Sequence, residues 1–516
     1  MPTLMQPNGA ARVAPPSLRR NLVANFVSQA WNAVMGLAFV PMYVEYMGLE
    51  SYGLVGAFAA LQSWLGLLDM GMKPTLSREM ARFEAGIHSP DQIRDLLRTF
   101  EVLAAAVAVA VASFAVVGAP WISEHWFRVE TLPVAQVSRA FSVIGVVTGA
   151  RFVEGLYASC LVGLQRQVAL NTIVSAAATL RGLGAVAALA FVSPTIEVFF
   201  TWQAAVGTLS LITTALITYR ALPAGTRPAR ASREAVRGVW RFAGGMLGVT
   251  IVTLLLTQID KVVLMRLLTL TDYGRYSLAG VAAGSLLMLG GPITQAWSPR
   301  LSALQAKGEE GRLGVVYHQG AQLVSVLVGS TAIMLCVFAE PVLFLWTRDA
   351  ELASRAGPIL SLLAIGNLMN GLMWMPYHTQ LAHGWTSMIV GVNTVSVAVV
   401  LPALWWAAPR FGPSGAAAVW MGTNLINLLV AVPLMHRRIL RGELLRFYTL
   451  DTVLPLAAAA SVALVARFVV PLSGSRAIDA IVLGLTGLCV LGSGALAAPL
   501  LRGQIVALTR RGHATK

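Results

Sequence analysis

The sequence predicts an all-α polytopic membrane protein of about 14 transmembrane helices: two six-helix lobes related by a parallel repeat, plus two C-terminal helices. Three observations predict this fold class. The 516 residues are 56% hydrophobic and 12% charged, with a mean hydropathy of +0.70, whereas soluble chains are about 45–50% apolar and about 25% charged. Apolar stretches of roughly 18–25 residues, long enough to cross a bilayer, recur along the chain. Similar segments, one containing Tyr52-Gly53 and the other Tyr273-Gly274, occur in the two halves of the chain.

The apolar stretches define fourteen predicted spans. Their bounds are 21–44, 52–72, 100–120, 138–160, 168–192, 197–219, 242–268, 275–296, 316–346, 354–376, 384–408, 413–435, 449–471 and 476–500. The repeat groups the first six into an N-lobe (21–219) and the next six into a C-lobe (242–435). The last two spans occupy 449–500. The connecting segments are a disordered tail without a signal-peptide core (1–20), an interlobe linker (220–241), a basic loop (436–448) and a second tail (501–516).

The basic residues predict the orientation of the spans, because short loops rich in Lys and Arg stay in the cytoplasm. If the N-terminus is inside, the basic clusters share one side: Arg12, Arg19 and Arg20; Lys73, Arg78, Arg82, Arg94 and Arg98; Arg220 to Arg241; Arg300, Lys307 and Arg312; Arg437 to Arg446; and Arg502 to Lys516. We therefore expect a multi-pass protein of the cytoplasmic membrane with both termini in the cytoplasm. The net charge of +15 then reflects topology and contact with anionic membrane lipid, and no nucleic-acid partner is expected.

Two predicted spans carry polar stripes at helical spacing. The stripe of the first span consists of Asn25, Ser28, Gln29 and Asn32. The stripe of the seventh consists of Thr250, Thr253, Thr257, Asp260 and Lys261. The offset between the two Tyr-Gly pairs maps Gln29 onto Thr250 and Asn32 onto Thr253. Such faces are typical of helices that line a common lumen, and the alternative is hydrogen bonding between packed helices.

Charged residues within the spans indicate an anionic ligand. Arg151 and Arg181 lie near mid-membrane, and Lys261 lies towards the outer leaflet. A guanidinium facing lipid is costly, and its planar donors suit phosphate oxygens. Internal pairing is the alternative, because Glu154 is one turn from Arg151 and Lys261 has an adjoining carboxylate. Arg181 has no carboxylate in its own helix and is therefore the better candidate ligand of a phosphate.

Three carboxylates could bind a coupling ion: Asp260, Glu154 and Asp69. Asp69 precedes a Met-Gly-Met-Lys-Pro segment, so capping or loop anchoring suits it better. We find no catalytic constellation and no GxxxxGK[ST] phosphate-binding motif. The three cysteines, Cys160, Cys336 and Cys489, lack metal-ligand spacing. We therefore expect neither an enzyme nor a metal or other cofactor.

Three motifs in order along the chain resemble one family. They are GLESYGLVGAFAALQSWLGLLDMGMKPTLSREMARFEAG (48–86), QIDKVVLMRLLTLTDYGRYSLA (258–279) and LAHGWTSMIVGVNTVSVAVVLPALWWAAPRFGPSGAAAVW (381–420). They resemble the Wzx-type polysaccharide-biosynthesis flippases of the multidrug/oligosaccharidyl-lipid/polysaccharide (MOP) exporter superfamily. The likeness spans most of residues 20–440.

This resemblance implies that an undecaprenyl-diphosphate-linked oligosaccharide is flipped to the outer leaflet by alternating access, with a proton or sodium gradient as a possible energy source. The substrate would be used in surface or exopolysaccharide synthesis, such as that of O-antigen, alongside other polysaccharide-assembly proteins. Arg151, Arg181 and Lys261 are the candidates for a cationic lumen. A multidrug or peptidoglycan-precursor exporter of the same superfamily is the nearest alternative. A membrane-embedded glycan polymerase or ligase is less favoured, because such enzymes carry a sizeable outer loop and the longest one predicted here covers only positions 121–137.

Overall fold

The computed structural model describes residues 18–69, 71–231, 258–470 and 475–503. Its first seven helices are α1 Leu18–Ala38, α2 Val40–Leu68, α3 Met72–Glu84, α4 Pro90–His125, α5 Val134–Gly163, α6 Gln167–Phe191 and α7 Ile196–Ala221. The next are α8 258–267, α9 Leu270–Met288, α10 Gly290–Ala306, α11 Glu310–Val337, α12 Ala339–Thr347, α13 Ala350–Leu372, α14 Trp374–Ala382 and α15 Thr386–Arg438. The C-terminal region has α16 Leu444–Arg446, a π-helical turn Phe447–Val453, α17 Leu454–Val469 and α18 Arg476–Ala497.

The helices are long and apolar enough for a multi-pass membrane protein, which confirms the predicted fold class. In the described ranges, ten helices can cross a bilayer, or eleven if the bent pair Val23–Ala38 and Val40–Trp64 (43°) counts as one span. The 53-residue α15 contains two predicted spans, because Gly412 (φ 60°, ψ −146°) interrupts it. Gly48 (φ 79°) similarly separates the first two spans within α2. Glycine adopts these backbone angles without a Cβ clash.

Prolines divide several predicted spans into shorter helices. A residue in a turn separates α1 from α2, α9 from α10, α11 from α12 and α13 from α14, and each break comes shortly before a proline: Pro41, Pro292, Pro341 and Pro376. A proline cannot donate to the carbonyl four residues earlier, so the helical ladder is interrupted there. At the first break, the carbonyl of Leu37 accepts a hydrogen bond from the indole of Trp346 at 3.0 Å. The continuous spans predicted over 21–44, 275–296, 316–346 and 354–376 are therefore broken helices.

The hydrophobic core joins the two lobes at one end of the molecule. One cluster contains Leu54, Ile144 and Phe200 of the N-lobe together with Leu278 and Leu360 of the C-lobe. At the opposite end, around the basic segments, the core divides into separate clusters. One of these packs α3, α4 and α5 together, and the other packs α9, α10, α11 and α15. The lobes thus share a core at one end and have their own cores at the other, which we call the basic end.

Two reciprocal glycine contacts hold the shared end together. A Cβ at Gly53 would lie 2.4 Å from the carbonyl oxygen of Leu270, and a Cβ at Gly274 would lie 2.4 Å from that of Leu49. The offset that relates Gly53 to Gly274 also relates Leu49 to Leu270, so the repeat relates one contact to the other. We call this pair the YG contact. Beside it, the Leu270 amide donates to the carbonyl of Arg128 at 2.9 Å.

Candidate functional site

Arg151 lies in the middle of α5 and reaches across the N-lobe to α2. Its Nη1 donates to Oε1 of Gln62 at 2.6 Å, and its guanidinium carbon is 5.4 Å from the centroid of the Phe58 ring. The Arg151 side chain is half-buried, and its Nε atom is buried without a hydrogen-bond partner among the described residues. Within the described part of the chain, the groups that contact this cation are thus an amide and an aromatic face, and no carboxylate forms an ion pair with it.

Glu154, one turn after Arg151, faces α6 and α7. Its Oε2 lies 3.7 Å from Nη2 of Arg181, and its Oε1 accepts a hydrogen bond from the Ser210 hydroxyl. The side chains of Arg181 and Glu154 remain 20% and 16% exposed, so both are reachable from outside the lobe. The sequence offered Glu154 as an internal partner of Arg151. In the structure, the arginine that pairs with Glu154 is Arg181.

The cluster carries a surplus of positive charge. Among the described residues, it contains two guanidinium groups, Arg151 and Arg181, close enough to interact electrostatically, and one carboxylate, Glu154. The Nε atoms of both arginines are buried and have no hydrogen-bond partner in the described part of the chain. A guanidinium offers five donors and accepts none, so these groups can bind further anionic oxygens. This N-lobe cluster can therefore bind an anion with several oxygen atoms.

Lys73 extends the positive surface from the N-lobe cluster towards the basic end. The sequence places it in a loop, but the structure puts it in the first turn of α3, with its ammonium 5.2 Å from the centroid of the Phe152 ring and 3.9 Å from Asp69. Asp69 also accepts a hydrogen bond from the Lys73 backbone amide at 3.2 Å. Asp69 thus contacts the first turn of α3, as its sequence context suggests.

The polar stripe of α1 packs against α6. Asn25 accepts a hydrogen bond from Asn171 at 2.5 Å and donates to Gln167 at 2.8 Å, and the Ser28 hydroxyl lies 3.0 Å from that of Ser175. Asn32 donates to the backbone carbonyl of Ser28 at 2.7 Å. These contacts favour the alternative in which the stripe joins helices.

Gln29 differs from the rest of its stripe. It is exposed and faces α10 of the other lobe, where a Cβ at Gly291 would lie 3.8 Å from its Oε1 atom. Gln29 is therefore the member of the α1 stripe that lies between the lobes.

The second stripe is only partly described. Thr250, Thr253 and Thr257 lie outside the described residues. Asp260 is buried in α8, where it accepts a hydrogen bond from Tyr276 at 3.1 Å and lies 3.8 Å from the ammonium of Lys261. The Lys261 side chain is 35% exposed. The structure does not bring Asp260 and Lys261 into the N-lobe cluster.

Sequence reasoning missed three contributors to the N-lobe cluster: Phe58, Gln62 and Ser210. Gln62 is a polar residue in the middle of a largely apolar predicted span, and that signal could have identified it. Phe58 and Ser210 carry no distinguishing signal, because phenylalanine is common in any span and a serine hydroxyl often bonds within its own helix. Their roles depend on the packing of α2 and α7 against α5.

Comparisons with known proteins identify the fold. Residues 18–305 match the family model of polysaccharide biosynthesis proteins. No curated protein matches the sequence. Among solved structures, the chain is similar to the lipid II flippase MurJ in an inward closed conformation, at 12% identity and a TM-score of 0.67, over 94% of this chain and 100% of that one. It is also similar to an inward-facing multidrug resistance MATE family transporter of the MOP superfamily, at 13% identity and a TM-score of 0.64, over 83% and 99% of the two chains. At these identities the likeness shows a shared fold.

Proposed function

Because the chain belongs to the polysaccharide biosynthesis protein family, we propose that it flips an undecaprenyl-diphosphate-linked oligosaccharide from the cytoplasmic to the outer leaflet. The observation that carries this proposal is the surplus positive charge of the N-lobe cluster, where Arg151 is held by Gln62 and the Phe58 ring instead of a carboxylate. A diphosphate is the part of such a substrate that two guanidinium groups recognise best. The glycan would serve surface or exopolysaccharide synthesis.

The shape of the molecule supports alternating access. The basic end carries the Lys- and Arg-rich segments, so the positive-inside rule puts it in the cytoplasm and the YG contact at the outer face of the inner membrane. The shared core at the YG contact and the divided core at the basic end are what an inward-facing transporter requires. The substrate headgroup then enters from the cytoplasm, passes Lys73 and reaches the N-lobe cluster. Opening of the YG contact would release it outside.

Glu154 would set the strength of substrate binding. In the structure it lies 3.7 Å from Arg181, longer than the roughly 2.7–2.9 Å of a strong guanidinium–carboxylate hydrogen bond. A diphosphate can therefore compete for Arg181, while Ser210 continues to donate to the carboxylate that is displaced. Binding and release would both remain possible, because neither arginine has to leave an optimal partner.

A second candidate is a flippase for lipid-linked peptidoglycan precursor, because the chain shares its fold with a lipid II flippase over 94% of its length. A diphosphate in that substrate would use the same arginines, so the two candidates differ in the glycan. Export of cationic drugs is less consistent with the site, because the N-lobe cluster has more cations than carboxylates.

The test is substrate binding and flipping by variants of the cluster in proteoliposomes. Arg151→Ala and Arg181→Ala should each weaken binding of undecaprenyl-diphosphate oligosaccharide by about 10- to 150-fold, since a charge-assisted hydrogen bond contributes about 1.5–3 kcal/mol. Glu154→Gln should strengthen binding, because it removes the competing carboxylate. Arg139→Ala is the matched control: Arg139 lies on α5 but is an exposed partner of Glu197.

In cells that depend on this chain for glycan export, Arg181→Ala and Arg181→Glu should insert normally, while lipid-linked repeat units accumulate inside. Full export and native affinity in both the Arg151 and Arg181 variants would contradict the proposed role of the cluster. Flipping of a peptidoglycan precursor in preference to the oligosaccharide would favour the second candidate.

A further inference from the structure

A second charged cluster lies at the basic end of the C-lobe, around His318 near the start of α11. His318 is 0% exposed, and both of its ring nitrogens face carboxylates. Nδ1 contacts Oδ2 of Asp451, and Nε2 lies 3.1 Å from Oε2 of Glu443. An ionised carboxylate only accepts hydrogen bonds, and an imidazole donates from both nitrogens only when it is protonated. The geometry therefore suits an imidazolium between two carboxylates.

Asp451 connects His318 to the C-terminal helices. It is fully buried and lies in the π-helical turn Phe447–Val453, a rare element that is frequent at functional sites. Its second oxygen, Oδ1, accepts a hydrogen bond from Nε2 of Gln322 at 2.8 Å. Oε1 of Gln322 in turn accepts from the backbone amide of Leu500, just after α18, at 2.9 Å. The cluster thus ties α11 to the start of α17 and to the end of α18.

His436 lies in the same core, and its hydrogen-bond partners suit a neutral histidine. Its Nδ1 lies 2.9 Å from the backbone carbonyl of Val432, and its Nε2 lies 3.3 Å from the hydroxyl of Tyr317. One donor and one acceptor satisfy these partners, because the hydroxyl can donate. The surroundings of His436 therefore require no positive charge, whereas the two carboxylates beside His318 favour one.

Two tyrosines and an arginine lie in or next to the segments that hold this cluster. Tyr317 packs its ring edge-on against the imidazole, with centroids 5.2 Å apart. Tyr448 of the π-helical turn donates its hydroxyl to the backbone carbonyl of Leu428. Arg446 lies 3.7 Å from Glu443, whose side chain is 39% exposed. Glu443 therefore connects the buried imidazole to water.

We propose that His318, Asp451 and Glu443 form a proton-binding site whose occupancy fastens α17 and α18 to the C-lobe. A proton enters from water at the basic end, passes Glu443 and binds Nε2 of His318. When it leaves, a ring lone pair faces a carboxylate, and Asp451 keeps Gln322 as its neutral donor. The attachment of the π-helical turn to α11 then weakens. This inference concerns the ion that the protein senses and does not depend on which molecule crosses the membrane.

The test is amide hydrogen exchange of the purified chain in lipid nanodiscs, from about pH 5 to about pH 10, with rates normalised to those of unstructured peptides. Histidine changes charge within this range. Protection of segment 447–469 should fall as the pH rises, by about a hundredfold or more once the buried carboxylate has lost its charged partner. His318→Gln should remove the pH dependence, whereas the matched control His436→Gln should keep it.

Glu443→Gln provides a second variant if His318→Gln does not fold. Because Glu443 is partly exposed, this variant should fold, and loss of one of the two carboxylates should change the pH profile of protection. A flat, fully protected profile in the native chain would overturn the proposal. So would a native-like pH profile in either His318→Gln or Glu443→Gln.

Discussion

Replacing Gly53 with alanine should destabilise the state in which the two lobes meet at the YG contact. An added Cβ would lie 2.4 Å from the carbonyl oxygen of Leu270, whereas ordinary contacts begin at 3.4 Å. The lobes would therefore have to separate locally by about 1 Å, and a gap of about 0.5–1 Å forfeits a quarter to a half of the dispersion attraction of the atoms involved.

The added Cβ destabilises only the conformation in which the YG contact is closed. Overpacking of a tight interface costs about 1–3 kcal/mol, and a state in which this end is open does not contain the contact. The ratio of the open to the closed state should therefore rise by about 5- to 150-fold. Gly274→Ala should have a similar effect, because it places a Cβ at the same 2.4 Å distance from the carbonyl oxygen of Leu49.

Double electron–electron resonance can measure this shift after the native cysteines are replaced. Spin labels at Val134→Cys in the N-lobe and Ala350→Cys in the C-lobe would report on the end that carries the YG contact, where both positions are exposed. The long-distance population should increase in Gly53→Ala. Gly284→Ala in α9 is the matched control, since a Cβ there meets nothing within 4 Å. An unchanged distance distribution in Gly53→Ala, or an equal change in the control, would refute the reasoning.

Three further predictions concern side chains outside the candidate site. Glu50 accepts three backbone amides of the α4–α5 loop, so Glu50→Gln should lower the free energy of unfolding by about 1–3 kcal/mol in a denaturant titration. Burial raises the pKa of Glu79, but hydrogen bonds from His88 and the neighbouring arginines outweigh it and hold the pKa below its usual value. This stabilisation is present at neutral pH and is lost as the pH falls through the lowered pKa; Glu79→Gln should therefore flatten the acid limb of a melting-temperature profile. Asp95→Asn should speed trypsin cleavage after Arg230, because it removes the carboxylate that pairs with Arg227 at 2.5 Å and accepts the backbone amide of Arg230 at 2.8 Å; unchanged cleavage would show that other contacts hold the linker.

The candidate site was predictable in part. Arg151 and Arg181 stand out in the sequence because an arginine within an apolar span needs a partner or a ligand. Their actual partners did not follow from spacing: Glu154 is one turn from Arg151, yet it lies beside Arg181 of another helix. His318 and Asp451 are far apart in the chain, near the ends of predicted spans, and no sequence pattern marks them as a pair. Side-chain spacing describes one helix face, whereas these contacts depend on how different helices are rotated against one another.

The sequence by itself determined the membrane-spanning segments and the relation between the halves, because apolar length acts locally, but it predicted continuous helices where the structure has breaks shortly before Pro41, Pro292, Pro341 and Pro376. The similarity between the segments of Tyr52-Gly53 and Tyr273-Gly274 can be recognised from the sequence alone. Only the tertiary structure decided that these glycines pack against each other's segments, that the α1 stripe bonds to α6, and that a histidine lies between two carboxylates. The physical reason is that membrane insertion depends on each segment's own polarity, whereas the partners of buried polar groups depend on which helices pack together.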